Sequence, residues 1–260
     1  MTGLKDRNTE MIEEVKDYWN IRSESYSKQN IAELHSFKRD AWRKMILENA
    51  PAKEKLKILD VGTGPGFFAI NLALLGHDVT AVDCTYAMLD KASENARNYG
   101  VKVEFAQANA DELPFDEGTF DLIVSRNVVW NLENPQRALK EWARVLKDEG
   151  HLIYFDANWY LYLFDEGLRI SVEAAKKEAE RLFPEEKDPA QAIGMNMEKI
   201  AYSLPLSRQC RPQWDRNAIV DCGLRMISLQ EDIGEWVWEE KEKIRYAETP
   251  LFMVCAGKSK

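Results

Sequence analysis

A glycine-dense run between two apolar segments constrains the fold of this chain more than any other feature. Residues 58–67 read Ile-Leu-Asp-Val-Gly-Thr-Gly-Pro-Gly-Phe, so that an acidic residue, Asp60, precedes the glycines. Glycine adopts positive φ at little steric cost and lets a ligand approach the backbone closely. A turn of this kind after the first strand of a parallel sheet is typical of a nucleotide-binding α/β fold.

Two details of the run argue against a dinucleotide as the ligand. Phe67 occupies the position of the third glycine in the dinucleotide fingerprint G-x-G-x-x-G. Asp60 would place a carboxylate beside the pyrophosphate, which helix N-termini otherwise bind through their positive end. A ligand with a cationic amine and a sulfonium, and no phosphate, tolerates that carboxylate. The run resembles motif I of the class I S-adenosylmethionine (SAM)-dependent methyltransferases, although taken alone it also fits a glycine turn without a ligand.

The segment after the glycines predicts a helix, a second strand and an acidic residue at the end of that strand. The helix is expected over residues 67–75 and the strand over residues 78–82. Asp83 follows Gly62 by about 20 residues, where a carboxylate can accept hydrogen bonds from the ribose hydroxyls of an adenosine. A solvated aspartate in a turn explains Asp83 equally well when it is considered in isolation.

Further elements are predicted in alternation along the next part of the chain. Helices are expected from the N-cap Thr85 to about residue 99 and over residues 134–147, and strands over residues 101–105 and 120–125 and after Gly150. Residues 144–153 resemble the R-V-L-K-x-G-G turn of the same methyltransferases, with Glu149 in place of the first glycine. A single glycine, Gly150, is expected to make that turn.

Residues 107–115 resemble the segment that holds the adenine in these enzymes, usually written G-D-A-x-x-L-P-F. The resemblance implies that the side chain of Asn109 meets the adenine amino group and that Ala110 supplies a backbone contact. The family more often has Asp at the position of Asn109, and an amide oxygen accepts hydrogen bonds in the same way.

These matches occur in order over roughly residues 55–156, and the chain is similar to the type-11 methyltransferase domain, which includes the ubiquinone and menaquinone C-methyltransferases. The resemblance implies an α/β fold with a Rossmann-like seven-stranded sheet. That sheet would be mostly parallel, with one antiparallel edge strand and helices on both faces. An N-terminal helical lid and a helical insertion after strand 5 would complete it.

The expected organisation is one structural domain with four parts. Residues 1–50 would form a helical arm or lid of two helices joined near residues 23–30, and residues 51–156 the SAM-binding core. Residues 157–211 would form a helical acceptor-site insertion with a helix from about 161 to 183. Residues 212–260 would add a helix and two strands, over 224–233 and 251–256, that complete the sheet.

The resemblance also implies a set of cofactor-binding residues, to which the arm contributes because residues 18–26 resemble the W-x-x-R-A-x-x-Y entry segment of related enzymes. The expected cofactor-binding residues are Arg22, Tyr26, Asp60, Gly62, Thr63, Gly64, Gly66, Asp83, Cys84, Met88, Asn109, Ala110 and Asn127. For Arg22 and Tyr26 the alternative is structural, with Tyr26 anchoring the arm by packing and Arg22 pairing with a surface acid.

Acceptor binding is expected at the carboxyl ends of strands 4 and 5, where parallel-sheet enzymes bind their ligands. Asp156 is the candidate general base, with His35 a poor second, and the alternative for Asp156 is a cap on the following helix. Candidate substrate-binding residues are Trp130, Asn158, Trp159, Tyr160, Arg208 and Arg211. The aromatic residues of this set could equally belong to the hydrophobic core. The two arginines form either an anion clamp or, for Arg211, a salt bridge.

The composition of the chain limits the classes of partner that the protein is expected to bind. The chain has 260 residues and a formal net charge of −9, which disfavours nucleic acid because phosphates would be repelled over most of the surface. The four cysteines and three histidines show no metal-ligand spacing, so no metal is expected. With no membrane-length apolar stretch and no signal-peptide pattern, a soluble cytoplasmic protein is expected.

The sequence therefore predicts a SAM-dependent methyltransferase that acts by in-line displacement on a small-molecule acceptor and releases S-adenosylhomocysteine (SAH). Three alternatives stay open: a nicotinamide-dependent oxidoreductase, a SAM-binding regulatory protein without turnover, and a methyltransferase acting on a macromolecule. The acceptor, the methylated atom, the use of a base and the oligomeric state are not predicted.

Overall fold

The computed structural model describes residues 2–184 and 196–258, with side chains from residue 13 onward. Seven strands form a single sheet in the order β3-β2-β1-β4-β5-β7-β6. The strands are β1 Lys57–Val61, β2 Asp78–Asp83, β3 Glu104–Gln107, β4 Phe120–Arg126, β5 Leu146–Asp156, β6 Leu224–Gln230 and β7 Phe252–Lys258. The parallel pairs β1·β2, β1·β4, β2·β3 and β4·β5 require crossover connections, and helices supply them.

The helices flank this sheet and extend beyond its carboxyl edge. They are α1 Thr2–Leu34, α2 Lys38–Asn49, α3 Phe67–Ala73, α4 Tyr86–Asn98, α5 Pro135–Val145, α6 Glu166–Leu182, α7 Met197–Ala201, α8 Gln213–Asp221, α9 Gly234–Val237 and α10 Glu240–Arg245. Short 3₁₀ turns occur at Val129–Asn131, Leu161–Leu163 and Pro205–Arg208. Within the described residues, no helix combines the length and apolar character needed to cross a membrane.

The predicted fold class is confirmed, with six strands running in one direction and one, β7, running against them. β7 pairs antiparallel with both β5 and β6. One apolar layer packs α2 and α3 on one face of the sheet, and a second packs α5 and α8 on the other. A third, smaller cluster joins α1 to α7 and Trp130. The four-part division of the chain stays a prediction.

The N-terminal arm differs from the prediction of two helices joined near residues 23–30. α1 is continuous to Leu34, and the break before α2 falls at residues 35–37. The serines that suggested a linker bond back into the helix, with Ser23 Oγ donating to Asn20 O and Ser25 Oγ donating to Arg22 O. Hydroxyls satisfied in this way are compatible with an uninterrupted helix.

Two other predicted boundaries, the starts of β3 and of the insertion helix, were wrong for local reasons. Strand β3 begins at Glu104 rather than at residue 101, because the Val101 N–H still donates to Ala96 O of α4. The insertion does not continue as one helix from residue 161. It makes a 3₁₀ turn first, and α6 begins where the Asp165 carboxylate accepts a hydrogen bond from the Leu168 N–H at 2.9 Å.

The turn into β5 also differs from the prediction. α5 ends at Val145, and the positive φ of 64° belongs to Glu149 and not to Gly150. Gly150 is required there for space, because a Cβ on it would lie 2.8 Å from Leu146 Cδ1 and 2.9 Å from Lys147 O.

Candidate active site

The glycine turn follows β1 at the carboxyl edge of the sheet, where its backbone packs against the neighbouring strand ends. Gly62, Gly64 and Gly66 all have positive φ, of 68°, 52° and 93°. The Gly62 and Thr63 N–H groups both donate to Val82 O, which ties the turn to β2. A Cβ on Gly62 would lie 2.3 Å from Val128 Cγ2, so this position accommodates no side chain without movement of Val128.

Asp60 lies beneath the turn and is 2% exposed. Its Oδ2 accepts hydrogen bonds from Thr63 Oγ1 at 2.7 Å and from the Ala69 N–H at 3.0 Å. The carboxylate therefore binds the first turn of α3, the place that an anionic phosphate occupies in dinucleotide folds. Burial raises the pKa of Asp60 to about 7, although the hydrogen bond from Thr63 opposes that shift.

Asp83 ends β2 directly beside the glycine turn. Its Oδ2 accepts a hydrogen bond from the Gly64 N–H at 2.9 Å, and its Oδ1 accepts from the N–H and the hydroxyl of Thr85. Burial raises the pKa of Asp83, while the bonds from Thr85 lower it. Thr85 precedes α4 as predicted, but its hydroxyl bonds Asp83 and does not cap the helix. Asp83 is thus fixed by both neighbouring loops.

The other residues predicted to bind the adenosine part of the cofactor lie around the end of β2 and in the loop after β3. Met88 is buried, and burial beside Asp83 raises the pKa of Cys84 to about 12, so its thiol stays protonated at neutral pH. Asn109 is exposed on a turn closed by a bond from the Glu112 N–H. The carbonyl of Ala110 accepts a hydrogen bond from Trp142 Nε1 at 2.8 Å, which anchors this loop to α5.

Helix α1 crosses the glycine turn and brings the predicted lid residues to it. Carbon Cε1 of Tyr26 lies 3.4 Å from the point where a Cβ on Gly64 would be. The Tyr26 ring packs against Trp19 of the same helix, with ring centroids 5.5 Å apart. Arg22, one turn before Tyr26, is half-buried. The arm is therefore in a closed position over the turn.

Asn127 follows β4 in a left-handed conformation, with φ of 59°. Its N–H donates to Phe155 O, and its carbonyl accepts from Trp130 Nε1. These two bonds hold a conformation that is unfavourable for most residues and tolerated by asparagine. The side-chain Oδ1 is buried and has no hydrogen-bond partner among the described residues. A buried amide oxygen at this edge fits a ligand that donates a hydrogen bond.

Asp156, the predicted base, ends β5 with no exposed surface. Its carboxylate accepts four hydrogen bonds, from the N–H groups of Trp130 and Ala157, from Trp159 Nε1 and from Arg211 Nη1. Burial raises its pKa, and the adjacent Arg211 guanidinium lowers it. The alternative of a cap on the next helix is wrong, because Asp165 caps α6. All four hydrogen bonds that Asp156 accepts therefore come from neighbouring groups of the protein.

Arg211 is buried between two carboxylates. Besides Asp156 it bonds Asp215 through Nε at 3.0 Å and Nη2 at 2.7 Å, and Tyr154 donates its hydroxyl to the same Asp215 at 2.7 Å. Burial alone would lower the pKa of Arg211, but the two carboxylates raise it above its ordinary value. The salt-bridge interpretation of Arg211 is confirmed. Arg208 is exposed and stacks on Phe164, 4.5 Å from the ring centroid, so the two arginines do not form one clamp.

The other predicted acceptor residues line one small cavity. Its volume is about 10 Å³, room for a single water molecule. It is lined by Trp130, Ala157, Asn158, Trp159, Tyr160, Leu161, Leu206 and Ser207. The Trp130 and Tyr160 rings lie 5.0 Å apart, and Asn158 exchanges two hydrogen bonds with the Arg211 backbone. These four predicted residues therefore lie together, and their role in acceptor binding stays a prediction.

Several residues of this region were missed from the sequence. Asp215, Tyr154 and Ser207 carry no local motif, and their roles depend on contacts across the fold. Arg126, at the end of β4, is half-buried, pairs with Glu33 of α1 at 2.9 Å and lies over the rings of Trp42, Phe67 and Phe68. The sequence signal that could have identified Arg126 is an arginine at the end of a largely apolar strand.

Metal chemistry receives no support from the part of the chain that the structure describes, in which no group of His, Cys, Asp and Glu side chains could hold an ion. His35, the second candidate base, lies at the end of α1 and shares a hydrogen bond with the Tyr99 hydroxyl at 3.1 Å. It is placed with α4 rather than with the strand ends.

Comparisons with known proteins agree with this geometry. A family model described as a methyltransferase domain matches residues 59–154, which contain most of β1, the glycine turn, Asp83 and most of β5. The uncharacterized methyltransferase YcgJ of Bacillus subtilis is 32% identical over 113 residues, 43% of this chain and 45% of the relative. The ubiquinone/menaquinone biosynthesis C-methyltransferase UbiE of Haemophilus ducreyi is 31% identical over 120 residues, 44% of this chain and 46% of the relative.

The chain thus spans less than half the length of these two curated relatives. Among solved structures, a SAM-dependent methyltransferase from Aquifex aeolicus superposes with a TM-score of 0.55 at 21% identity. That match covers 86% of this chain and 92% of the other. At this identity the likeness concerns the fold, and it extends beyond the glycine turn to most of the chain.

Proposed function

We propose that this chain is a class I SAM-dependent methyltransferase, with the methyltransferase domain at residues 59–154, and that it transfers a methyl group from SAM to a small-molecule acceptor. The position of Asp60 carries the proposal. Its carboxyl group already accepts the Ala69 N–H in the first turn of α3, so a cofactor phosphate could not bind that N–H without displacing Asp60. SAM has no phosphate and carries a cationic sulfonium and amine.

The proposed cofactor contacts follow from where the side chains lie. Asp83 would accept a hydrogen bond from a ribose hydroxyl through Oδ2, because Oδ2 accepts one bond, from Gly64, whereas Oδ1 already accepts two from Thr85. The backbone of Gly62 to Gly66, with Thr63, would lie against the methionine moiety. Cys84, Met88, Asn109 and Ala110 would surround the adenine. Asn127, Arg22 and Tyr26 would close the site from the β4 end and from α1.

The chemistry required of the protein is mainly alignment. SAM supplies a methyl group on a positively charged sulfur, which is a good leaving group in an in-line displacement. Holding donor and acceptor in line is worth about 7–11 kcal/mol in favourable cases. We propose that Asp156, with all four of its bonds directed at neighbouring groups, positions Trp130 and Trp159 rather than taking a proton. Trp130, Asn158, Trp159 and Tyr160 would form the wall of the acceptor pocket.

One observation favours a second candidate, a SAM-binding protein without turnover. The cavity between Trp130, Tyr160 and Ser207 is large enough for one water molecule and not for an acceptor. An enzyme must therefore open this region to admit its acceptor, whereas a regulatory protein need not. A screen for transfer of tritium from methyl-labelled SAM into small molecules separates the two, because a regulatory protein binds SAM and labels none of them.

Calorimetric titration tests the cofactor. We expect SAM and SAH to bind the wild type, and NAD not to bind. Asp83→Ala should weaken SAH binding about 100-fold, since it removes the proposed acceptor of a ribose hydroxyl and also the hydrogen bond that holds the Gly64 N–H. Asp78→Ala is the matched control, because Asp78 begins the same strand at its opposite end and pairs with Lys55 on the surface. NAD binding, or SAH binding of equal affinity in wild type and Asp83→Ala, would contradict the proposal.

A further inference from the structure

One side chain joins helix α1, helix α4 and the glycine turn. Asn95 of α4 is 5% exposed, and its Nδ2 donates to Ser27 Oγ and to Pro65 O, both at 3.0 Å. Pro65 lies between Gly64 and Gly66, and Ser27 follows Tyr26 on α1. We call this pair of hydrogen bonds the Asn95 bridge.

The bridge lies directly beside the place where α1 covers the turn. Tyr26 is in van der Waals contact with the position of a Cβ on Gly64. The Gly64 N–H is in turn bound to Asp83, the proposed ribose acceptor. A cofactor bound to Asp83 and the glycine backbone would therefore contact the turn next to Pro65, whose carbonyl is bound by Asn95. The same Asn95 amide also binds α1 through Ser27.

The other ties of α1 in this region differ in strength and place. Lys91 of α4 pairs with Glu24 at 2.6 Å, but Glu24 is exposed, and exposed ion pairs contribute little. Glu33, about two turns further along α1, pairs with the half-buried Arg126 and fixes the end of the helix. Of these three ties, the Asn95 bridge is the buried one that also reaches the glycine turn.

We propose that Asn95 is a positioning residue that couples closure of α1 to occupation of the glycine turn, so that α1 retains the bound cofactor. The inference rests on the proposed function, because it takes SAM or SAH as the occupant. A cofactor that fixes the turn fixes Pro65 O, which orients the Asn95 amide toward Ser27. When the bridge is missing, α1 loses its buried tie to the turn and opens more often.

The test measures the rate at which SAH dissociates, by stopped-flow displacement with excess SAM. Asn95→Ala should raise this rate about 10-fold, since losing a buried donor shared by two acceptors costs more than an exposed hydrogen bond. Ser27→Ala removes only the α1 half of the bridge and should raise the rate severalfold. The effects should not add in the double variant, because both remove the same contact. Asn98→Ala, an exposed asparagine on α4, is the matched control and should stay within twofold of wild type.

A second readout separates coupling from a loss of stability. SAH should slow tryptic cleavage of α1 in wild type and in Asn98→Ala, and should protect α1 much less in Asn95→Ala and Ser27→Ala. Unchanged dissociation rates and equal protection in Ser27→Ala overturn the proposal even if Asn95→Ala fails to fold. Absence of SAH binding in the wild type would instead refute the proposed function, so the two failures are distinguishable.

Discussion

Replacing Arg211 with methionine tests the buried network at the end of β5. The side chain is 1% exposed and lies between the carboxylates of Asp156 and Asp215, each 0% exposed. Its three side-chain hydrogen bonds, one to Asp156 and two to Asp215, link the end of β5 to α8. Methionine has a similar length and no charge, so Arg211→Met removes the guanidinium while leaving the space nearly filled.

The expected loss follows from what is left behind. Removing one partner of a buried ion pair costs about 3–5 kcal/mol, because an uncompensated charge stays in the interior. Here two buried carboxylates lose the same cation, so we expect a loss of about 4–5 kcal/mol in the free energy of unfolding. This is a large part of the roughly 5–15 kcal/mol that stabilises a typical domain.

Equilibrium unfolding in urea measures this loss, with Arg216→Met as the control. Arg216 pairs with Glu231 on the surface, where the side chains are 45% and 71% exposed, and its loss should cost less than about 1 kcal/mol. Adding Asp156→Asn and Asp215→Asn to Arg211→Met removes both unpaired charges and should recover part of the stability.

The pH dependence supplies an independent check. Burial already raises the pKa of Asp156 with Arg211 present, and without the guanidinium that pKa rises further. The folded variant then binds a proton that the unfolded chain releases at neutral pH, so its stability falls as the pH rises. The deficit of Arg211→Met relative to wild type should therefore shrink between pH 7 and pH 5. A deficit below about 1 kcal/mol, or one equal at both pH values, would refute the reasoning.

Two further substitutions test the glycine turn. The pKa of Asp60 is about 7 in the folded protein against an ordinary value of 3.8, so between these values the folded state keeps a proton that the unfolded chain has released. Stability therefore falls as the pH rises from 3.8 to about 7. Asp60→Asn should flatten the pH dependence of the thermal unfolding midpoint over this range, and an unchanged slope would contradict this. Gly62→Ala should cost about 2–4 kcal/mol in urea unfolding, since it combines positive φ with the contact to Val128, whereas Gly118→Ala, with φ of 62° and open space around its Cβ position, should cost about 1–2 kcal/mol. Equal costs at the two glycines would show that the contact with Val128 is unimportant.

The parts of the fold that the sequence predicted well are those specified by neighbouring residues. β1, the glycine turn, α3 and β2 follow from apolar runs and glycines within a short stretch, and Asp83 is placed by its distance from Gly62. Aromatic residues after β4 and β5 were correctly assigned to one region, because carboxyl ends of parallel strands meet at one edge.

Other features depend on contacts between distant residues. The carboxylate of Asp156 is bound by Arg211, which lies 55 positions later, and no local pattern relates the two. The continuity of α1 depends on packing against α4 and α7, whereas its serines and polar residues suggested a linker. Asn95 has an ordinary helical context, and its two bonds become apparent once α1 is placed over the glycine turn.

The position of β7 has a consequence for how the chain acquires its structure. β7 lies between β5 and β6, and its partners on β5, such as His151 opposite Gly257, are about one hundred positions earlier. During synthesis β7 emerges after all the other described strands, so β5 presents unpaired backbone groups on one edge until then. Exposed strand edges recruit other strands, and contacts between distant segments form slowly. The nascent chain should therefore be most prone to aggregation in the interval between completion of β5 and docking of β7.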